Sequence, residues 1–433
     1  MLESLFRLSE NQTTVRTEVI AGVTTFMTMA YIIFVNPDIL AAAGMDKQSV
    51  FVATCLAAAF GTLVMGLYAN YPIALAPGMG LNAFFSFVVV KGMGVSWEIA
   101  LAAVFVSGVL FVILSVLPVR EWIINSIPRS QKMAIAAGIG FFLGFIGLKS
   151  AGIVVANPAT FVTVGDLTAW PAMLAALGFV VMVVLDYKKL PGGIILSIIL
   201  VTALGIALGI SAPPPRIVDM PPSLAPTLFA LDLGGFFQLG LATLLILAFS
   251  FLLVDMFDTA GTLIGLAHQA NLLDSDGKLP RLDRALIADS TATVVGSMIG
   301  TSTTTSYIES AAGIRAGGRT GLTAVVVALL FLAALVLAPV ATSIPTYATA
   351  PAILYVACIM ARAFAEIDWE DVTEYVPAVI TALAMPLTFS IATGIGLGFI
   401  SYTAIKLLCG RRQDVGPAVL VIAAVFVIFF VTK

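Results

Sequence analysis

YPIALAPGMGLNAFFSF, residues 71–87, and GTSTTTSYIESAAGIRAGG, residues 300–318, are the stretches that decide the fold. Each lies where a membrane span is expected, and each opens with residues ill-suited to helix. Pro72 and Pro77 interrupt the first. The β-branched, Thr-rich run Thr301 to Thr305 interrupts the second, because branching at Cβ crowds the preceding helical turn. Each stretch then becomes a short helix, expected to start near Gly78 and near Ser306. Aligned without a gap, Gly78 to Ala83 lies over Ser306 to Ala311. Two half-helix starts then meet at mid-membrane, offering free amides and positive dipole ends. The alternative is a pair of ordinary kinked helices.

The rest of the chain supplies the membrane. Of 433 residues, 60% are hydrophobic and 10% charged, against roughly 25% charged in a soluble domain. So little charge cannot cover a water-facing surface. Apolar stretches recur throughout, each near the roughly 17–25 residues a transmembrane helix needs. Lipid offers backbone amides no partner, so spans are helices or a closed barrel. Continuous rather than alternating apolarity excludes the barrel.

The expected spans are roughly 18–36, 49–69, 73–90, 97–117, 132–149, 169–186, 191–210, 238–266, 285–300, 302–316, 319–340, 347–365, 372–389 and 391–409. That makes an all-α polytopic protein of about fourteen transmembrane helices. A further apolar segment, 416–432, either spans or lies at the interface.

Positive charge gathers in alternate loops, which places the N-terminus in the cytoplasm. The basic loops hold Arg120, Arg129 and Lys132; Lys188 and Lys189; Lys278, Arg281 and Arg284; Arg315 and Arg319; Arg362; and Lys406, Arg411 and Arg412. The Pro-rich stretch SAPPPRIVDMPPSLAP, 211–226, leaves seven spans on either side. An odd number per half inverts one half relative to the other, a recurrent plan in secondary transporters with the site at the midplane. The expected division is a cytoplasmic amphipathic N-terminus (1–17), a first repeat (18–210), an extracellular linker (211–237), a second repeat (238–409) and a C-terminal apolar segment (410–433).

Several functions are excluded or unsupported. No basic tract offers a nucleic-acid surface. No nucleotide-binding Walker pattern supports ATP-driven transport. No catalytic constellation suggests an enzyme, and no spacing suggests a metal or other cofactor. Cys55, Cys358 and Cys409 lie in or beside apolar segments without disulfide spacing, so they are expected to be packing residues.

Acids inside the membrane are costly and therefore functional candidates. Asp255 and Asp258 sit in FSFLLVDMFDTAGTLIGL, three residues apart and on a shared helix face. Thr259, Gly261 and Thr262 give Asp258 the surroundings of a cavity wall, whereas Asp255 is expected to pair with a backbone or hydroxyl group elsewhere. Glu309 is expected in the first turn of its half-helix, either as a titrating, ligand-facing group or as a capping carboxylate. Asp289 begins the ninth span, where a salt bridge or helix N-terminal role competes with transport chemistry. His268, the single histidine, is expected near the cytoplasmic surface.

The stretch IESAAGIRAGGRT, 308–320, resembles the signature of the nucleobase–ascorbate transporter superfamily (nucleobase:cation symporter-2). FLLVDMFDTAGTLIG, TTFMTMAYIIFVNP and ALAPGMGLNAFF resemble its AzgA-like branch of purine permeases more narrowly. The resemblance implies two inverted seven-helix repeats with short strands before the half-helices of spans 3 and 10. It implies a core domain from spans 1–4 and 8–11, and a gate domain from spans 5–7 and 12–14. The implied activity is proton-coupled import of adenine, guanine or hypoxanthine across the cell (inner) membrane, by a carrier that relatives suggest is a homodimer. Asp258 and Glu309 take the two substrate-facing carboxylate places. The uracil branch has a histidine one turn after the first acid. Thr262 stands there in this chain, so the proton falls to Glu309 or Asp258.

A purine would suit such a site. Carboxylates accept from its N–H groups, and amides near Gly80 and Ser310 donate to ring nitrogens or an oxo group. Asn82 can do either. Phe26, Phe84 or Phe257 offers a stacking face, although packing is the commoner use of any one Phe. Thr25 and Thr28 offer cavity hydroxyls, unless they bond their own helix backbone. The competing expectation is an anion transporter or channel on the same fold, since helix N-termini also suit anions.

Overall fold

The computed structural model describes residues 2–116, 128–270, 272 and 279–432. Helix α1 (Val15–Met29) is opened by Thr14, whose hydroxyl accepts from the Thr17 amide. After a tight turn at Ala30 and Tyr31 the chain resumes as α2 (Ile32–Ala41). Asp46 caps α3 (Lys47–Val64), accepting from Ser49 N–H. Strand β1 (Leu75–Pro77) follows, then α4 (Met79–Ala83), which continues outward in wider π-type turns over Phe84–Val90. The first half ends with α5 (Trp97–Val116), α6 (Arg129–Ser150), an exposed hairpin of β2 (Val154–Asn157) and β3 (Phe161–Val164), α7 (Trp170–Tyr187) and α8 (Gly193–Ala207).

The second half repeats this order. Helices α9 (Leu241–Gln269) and α10 (Leu282–Ile299) precede β4 (Thr304–Ser306) and the half-helix α11 (Ser310–Arg315). Then come α12 (Gly321–Ala334), α13 (Thr346–Ala361), α14 (Val372–Leu387) and α15 (Ile391–Leu408). Among the described residues, nine helical segments are long and apolar enough to cross a membrane. The segment expected at 416–432 is a helix, α16 (Pro417–Thr432), packed along α15 and α9.

Contacts divide the spans into two bundles. Helix α12 packs on α1 and α3, α10 on α3 and α5, and α9 on α5. Separately, α6 packs on α13 and α14, α14 on α15, and α7 on α8 and α13. The 211–237 stretch drapes over the ends of the first bundle. There Asp219, Phe229 and Asp232 donate their amides to the carbonyls of Val336, Met298 and Glu98.

Several expectations need correction. The first span, expected from roughly residue 18, is helical from Val15, and its helical bonding is interrupted at Ala30 and Tyr31. Only Cys55 is packed inside; Cys358 and Cys409 are exposed. Lys278 and Arg120 lie outside the described residues, as do the side chains of His268 and Phe257.

Candidate functional site

The two broken spans meet as a two-stranded ribbon. Strand β1 pairs antiparallel with β4, setting Leu75 opposite Ser306, Ala76 opposite Thr305 and Pro77 opposite Thr304. Irregular backbone is tolerated at membrane depth only when its polar groups find protein partners. Gly78 N–H donates to Thr303 O at 2.9 Å and Tyr307 N–H to Ala74 O at 2.9 Å. The Tyr307 hydroxyl donates to Pro77 O at 2.6 Å, and Ala74 N–H donates to Ser310 Oγ at 3.0 Å.

The Thr-rich run bonds laterally. Asn36 Nδ2 donates to Thr301 Oγ1 at 2.9 Å, and Thr293 exchanges bonds with the Thr304 backbone. Thr305 and Thr259 hydroxyls lie 2.8 Å apart. The residues ill-suited to helix therefore build a cross-strand, tied to its neighbours through the hydroxyls of Thr301, Ser302 and Thr305.

Helix α4 starts at Met79 with Gly78 as its N-cap, one residue from the expected place. Its first backbone bond is Asn82 N–H to Gly78 O at 2.8 Å. The amides of Met79, Gly80 and Leu81 precede that bond and have no acceptor within the helix. Helix α11 starts at Ser310, a full turn after the expected Ser306, and its N-cap is Glu309. The gapless alignment of the two broken spans therefore fails. The cause is tertiary: Ser306 is held in the strand by β1 and by Asp289, which accepts from its amide at 2.8 Å and its hydroxyl at 2.9 Å.

The four acids take different positions. Asp289 is fully buried and also accepts from Thr259 Oγ1 at 2.7 Å. It is thus a buttress of β4 inside α10, neither the structural salt bridge nor the helix N-terminal acid weighed from the sequence. Asp255 is buried behind the ribbon beside Thr293 Oγ1, at 3.2 Å, in keeping with the hydroxyl partner expected for it. Asp258 and Glu309 are the half-buried pair. Helix α9 carries Asp258 past α4, β4 and α11. A Cβ placed on Gly78 would lie 3.9 Å from Asp258 Oδ2. One carboxylate therefore faces the start of α4, and the other forms the start of α11.

Around this pair the remaining candidates sort by contact. Gly80 is half-buried against α6. Thr262 is half-buried one turn along α9 from Asp258. Thr28 bonds its own helix, donating to Thr25 O at 2.8 Å, and lies 3.4 Å from Glu309 O. Asn82 is fully buried and accepts from Ser302 Oγ, while its Nδ2 is without a partner among the described residues. Thr25 is fully buried against Gly313. Ser310 spends its amide on Tyr307 O, at 3.1 Å, and its hydroxyl on Ala74. Phe26 packs edge-on against Phe331 at 5.2 Å, and Phe84 against Phe251 at 4.9 Å.

The sequence reading missed Tyr31. Its hydroxyl donates to Glu309 Oε1 at 2.5 Å from a fully buried position. The signal was a polar-tipped aromatic inside an apolar span, which needs a partner when buried. A cavity of about 560 Å³ lies elsewhere, among Arg129, Glu366, Asp371, Glu374, Arg411 and Asp414, and contains none of the candidate residues.

Comparison with known proteins agrees with this architecture. A family model described as a permease family (Xan_ur_permease) matches residues 16–397. The chain is 50% identical to the adenine permease AdeP of Escherichia coli (strain K12), over 99% of this chain and 95% of that protein. It is 44% identical to the guanine/hypoxanthine permease PbuG of Bacillus subtilis (strain 168), over 99% of both chains. Among solved structures, the transmembrane domain of the cyanobacterial bicarbonate transporter BicA is similar with a TM-score of 0.67 at 17% identity, covering 87% of this chain and 97% of that one. The murine anion transporter Slc26a9 is similar with a TM-score of 0.67 at 10% identity, covering 91% and 68%. At these identities the likeness concerns the fold, two inverted seven-span repeats.

Proposed function

The chain belongs to the nucleobase–ascorbate transporter family, and from that premise we propose that it imports purine nucleobases together with protons by alternating access. The observation that carries the proposal is the pairing of Asp258 with the start of α4 and of Glu309 with the start of α11. A neutral purine carries N–H donors and ring acceptors on adjacent edges. Two carboxylates can accept from the donors, and the amides of Met79, Gly80 and Leu81 can donate to the acceptors. Relatives bearing the names of adenine and of guanine/hypoxanthine permeases support the substrate class.

The core consists of spans 1–4 and 8–11 and carries the site. The gate consists of spans 5–7 and 12–14. The separate packing of the two bundles supports this division. Movement of one bundle against the other would expose the carboxylates to either side in turn. Asp258 and Glu309 carry the substrate and, between them, the proton. The basic loops support a cytoplasmic N-terminus in the inner membrane. A homodimer through the gate follows the family.

Purified carrier in proteoliposomes should take up labelled adenine, guanine or hypoxanthine faster under an inward proton gradient. Uptake unchanged when the gradient is collapsed would remove the proton from the scheme. An anion carrier on the same fold would set a negative ligand against both carboxylates, an unfavourable arrangement in a low dielectric. Thermal stabilisation by sulfate or bicarbonate but not by purines would reverse the assignment.

A further inference from the structure

We infer that Tyr31 is the positioning residue for Glu309, holding one carboxylate oxygen so that the remaining lone pairs are presented to an N–H edge of the purine. The inference rests on the purine-carrier function proposed above and names how one of its carboxylates is aimed.

Within its own half-helix the Glu309 carboxylate is met by its own amide alone. It is the N-cap of α11 but has helical backbone angles, φ −59° and ψ −20°, and its side chain makes no capping bond to the amides that follow. Those amides are already used, since Ser310, Ala311 and Ala312 donate to Tyr307 O, Ile308 O and Glu309 O. A half-exposed glutamate with three free torsions would sample many orientations.

The turn between α1 and α2 supplies the missing constraint. Tyr31 donates its hydroxyl to Glu309 Oε1 at 2.5 Å, and the Thr28 hydroxyl lies 3.4 Å from Glu309 O. The turn therefore holds the side chain of Glu309 through the Tyr31 hydroxyl, while Thr28, whose proton goes to Thr25 O, only lies beside its main chain. The Tyr31 ring is wholly buried, so its hydroxyl is a fixed donor on a stiff side chain with two torsions. Hydrogen bonds to charged groups are among the stronger ones and are directional. With Oε1 engaged by Tyr31 and the Glu309 amide also at the carboxylate, the remaining lone pairs are the ones left for a ligand donor. Prior fixing of a binding group lowers the ordering cost of association.

Tyr31→Phe removes one oxygen and leaves the packed ring. The experiment measures equilibrium binding of adenine, guanine and hypoxanthine to the purified full-length carrier. It then repeats the measurement with ring-N-methylated forms of the tightest binder, one for each ring nitrogen. The expected result is a Kd for the unmodified purine raised about tenfold in Tyr31→Phe, the scale of ordering one side chain on binding, beside a modest fall in melting temperature from the lost intraprotein bond. One methylated analogue, blocked at the nitrogen that faces Glu309, should bind wild type weakly and Tyr31→Phe no more weakly. Equal affinity of wild type and Tyr31→Phe for the unmodified purine overturns the assignment. So does the same loss for every analogue, which is what a merely structural role would give. Failure of the wild-type carrier to bind any purine would instead remove the function on which the inference rests.

Discussion

Gly80 and Ile139 meet where α4 crosses α6: a Cβ on Gly80 would stand 2.6 Å from Ile139 Cγ2. No side chain fits there without displacing a neighbour. The contact joins the bundle that holds the carboxylates to the other bundle, one residue into the first half-helix. Farther along the same seam, Phe87 meets Phe389 at 6.0 Å, and Phe142 meets Phe389 at 5.2 Å. Gly80→Val should therefore hold the bundles apart beside the site. The expected outcome is loss of purine uptake with a stability cost of about 1–3 kcal/mol, the usual range for overpacking. Uptake and detergent melting on the same preparation check it, and wild-type uptake by Gly80→Val would show that the seam need not close this tightly.

Asp289 supports β4, and its replacement should act through the ribbon. Three donors converge on it: the Ser306 amide, the Ser306 hydroxyl and the Thr259 hydroxyl. Asp289→Ala leaves them buried without an acceptor, at roughly 1–3 kcal/mol for each unsatisfied group. Asp289→Asn keeps an acceptor for some of them and should lose less. The expected order of melting temperatures is wild type, then Asp289→Asn, then Asp289→Ala. In contrast, Asp258→Ala should abolish purine binding with little change in melting, because its carboxylate is half-exposed, and Glu309→Ala should abolish binding with only the cost of the orphaned Tyr31 hydroxyl. An Asp258→Ala protein that melts as early as Asp289→Ala would place Asp258 among the supports instead.

Glu18 is a cap supplied from another helix. It is fully buried on α1 and accepts from the amides of Arg319, Thr320 and Thr323 at 2.9, 3.2 and 3.2 Å, and from the Thr323 hydroxyl at 2.6 Å. The Thr320 and Thr323 amides belong to the first turn of α12, where the helix dipole also favours a negative charge. Glu18→Gln substitutes an N–H₂ group for one acceptor and should lower the melting temperature by several degrees. A differential melting measurement at neutral pH checks this, and an unchanged melting temperature would mean that water can replace the carboxylate.

These residues also show what the amino-acid order made legible. The broken spans could be read because Pro72, Pro77 and the Thr-rich run are local signals, and the strands implied by the family resemblance form at 75–77 and 304–306. Asp258 and Glu309 could be singled out because a carboxylate in an apolar span is conspicuous wherever its partners lie. Partners distant in sequence were not readable. The start of α11 depends on pairing Ser306 with Leu75, and the role of Asp289 depends on Thr259 and Ser306. The interruption at Ala30 and Tyr31 has no Gly or Pro within it. Asn82 looked free because Ser302, its partner, lies in the other repeat.

The end of α14 nearest the ion-pair cluster should respond to acid in a definite direction. Asp371 is the N-cap of α14. The Thr373 hydroxyl, donating at 2.7 Å, does most to hold its carboxyl below the usual carboxylate range. The Thr373 amide at 2.9 Å, the Arg411 guanidinium and the charge of Lys406 at 3.8 Å act in the same sense. Lys406 is itself buried and paired with Glu374 at 2.6 Å and Asp414 at 3.2 Å. A carboxyl depressed in the folded state contributes stability that is fully present above its unfolded value of about 3.9. That contribution is lost as pH falls through the lower folded value. The melting temperature of wild type should therefore exceed that of Asp371→Ala by a constant amount from about pH 8 to about pH 5. The difference should shrink below about pH 4. A difference that already shrinks between pH 7 and pH 5 would require a group other than Asp371 to titrate there.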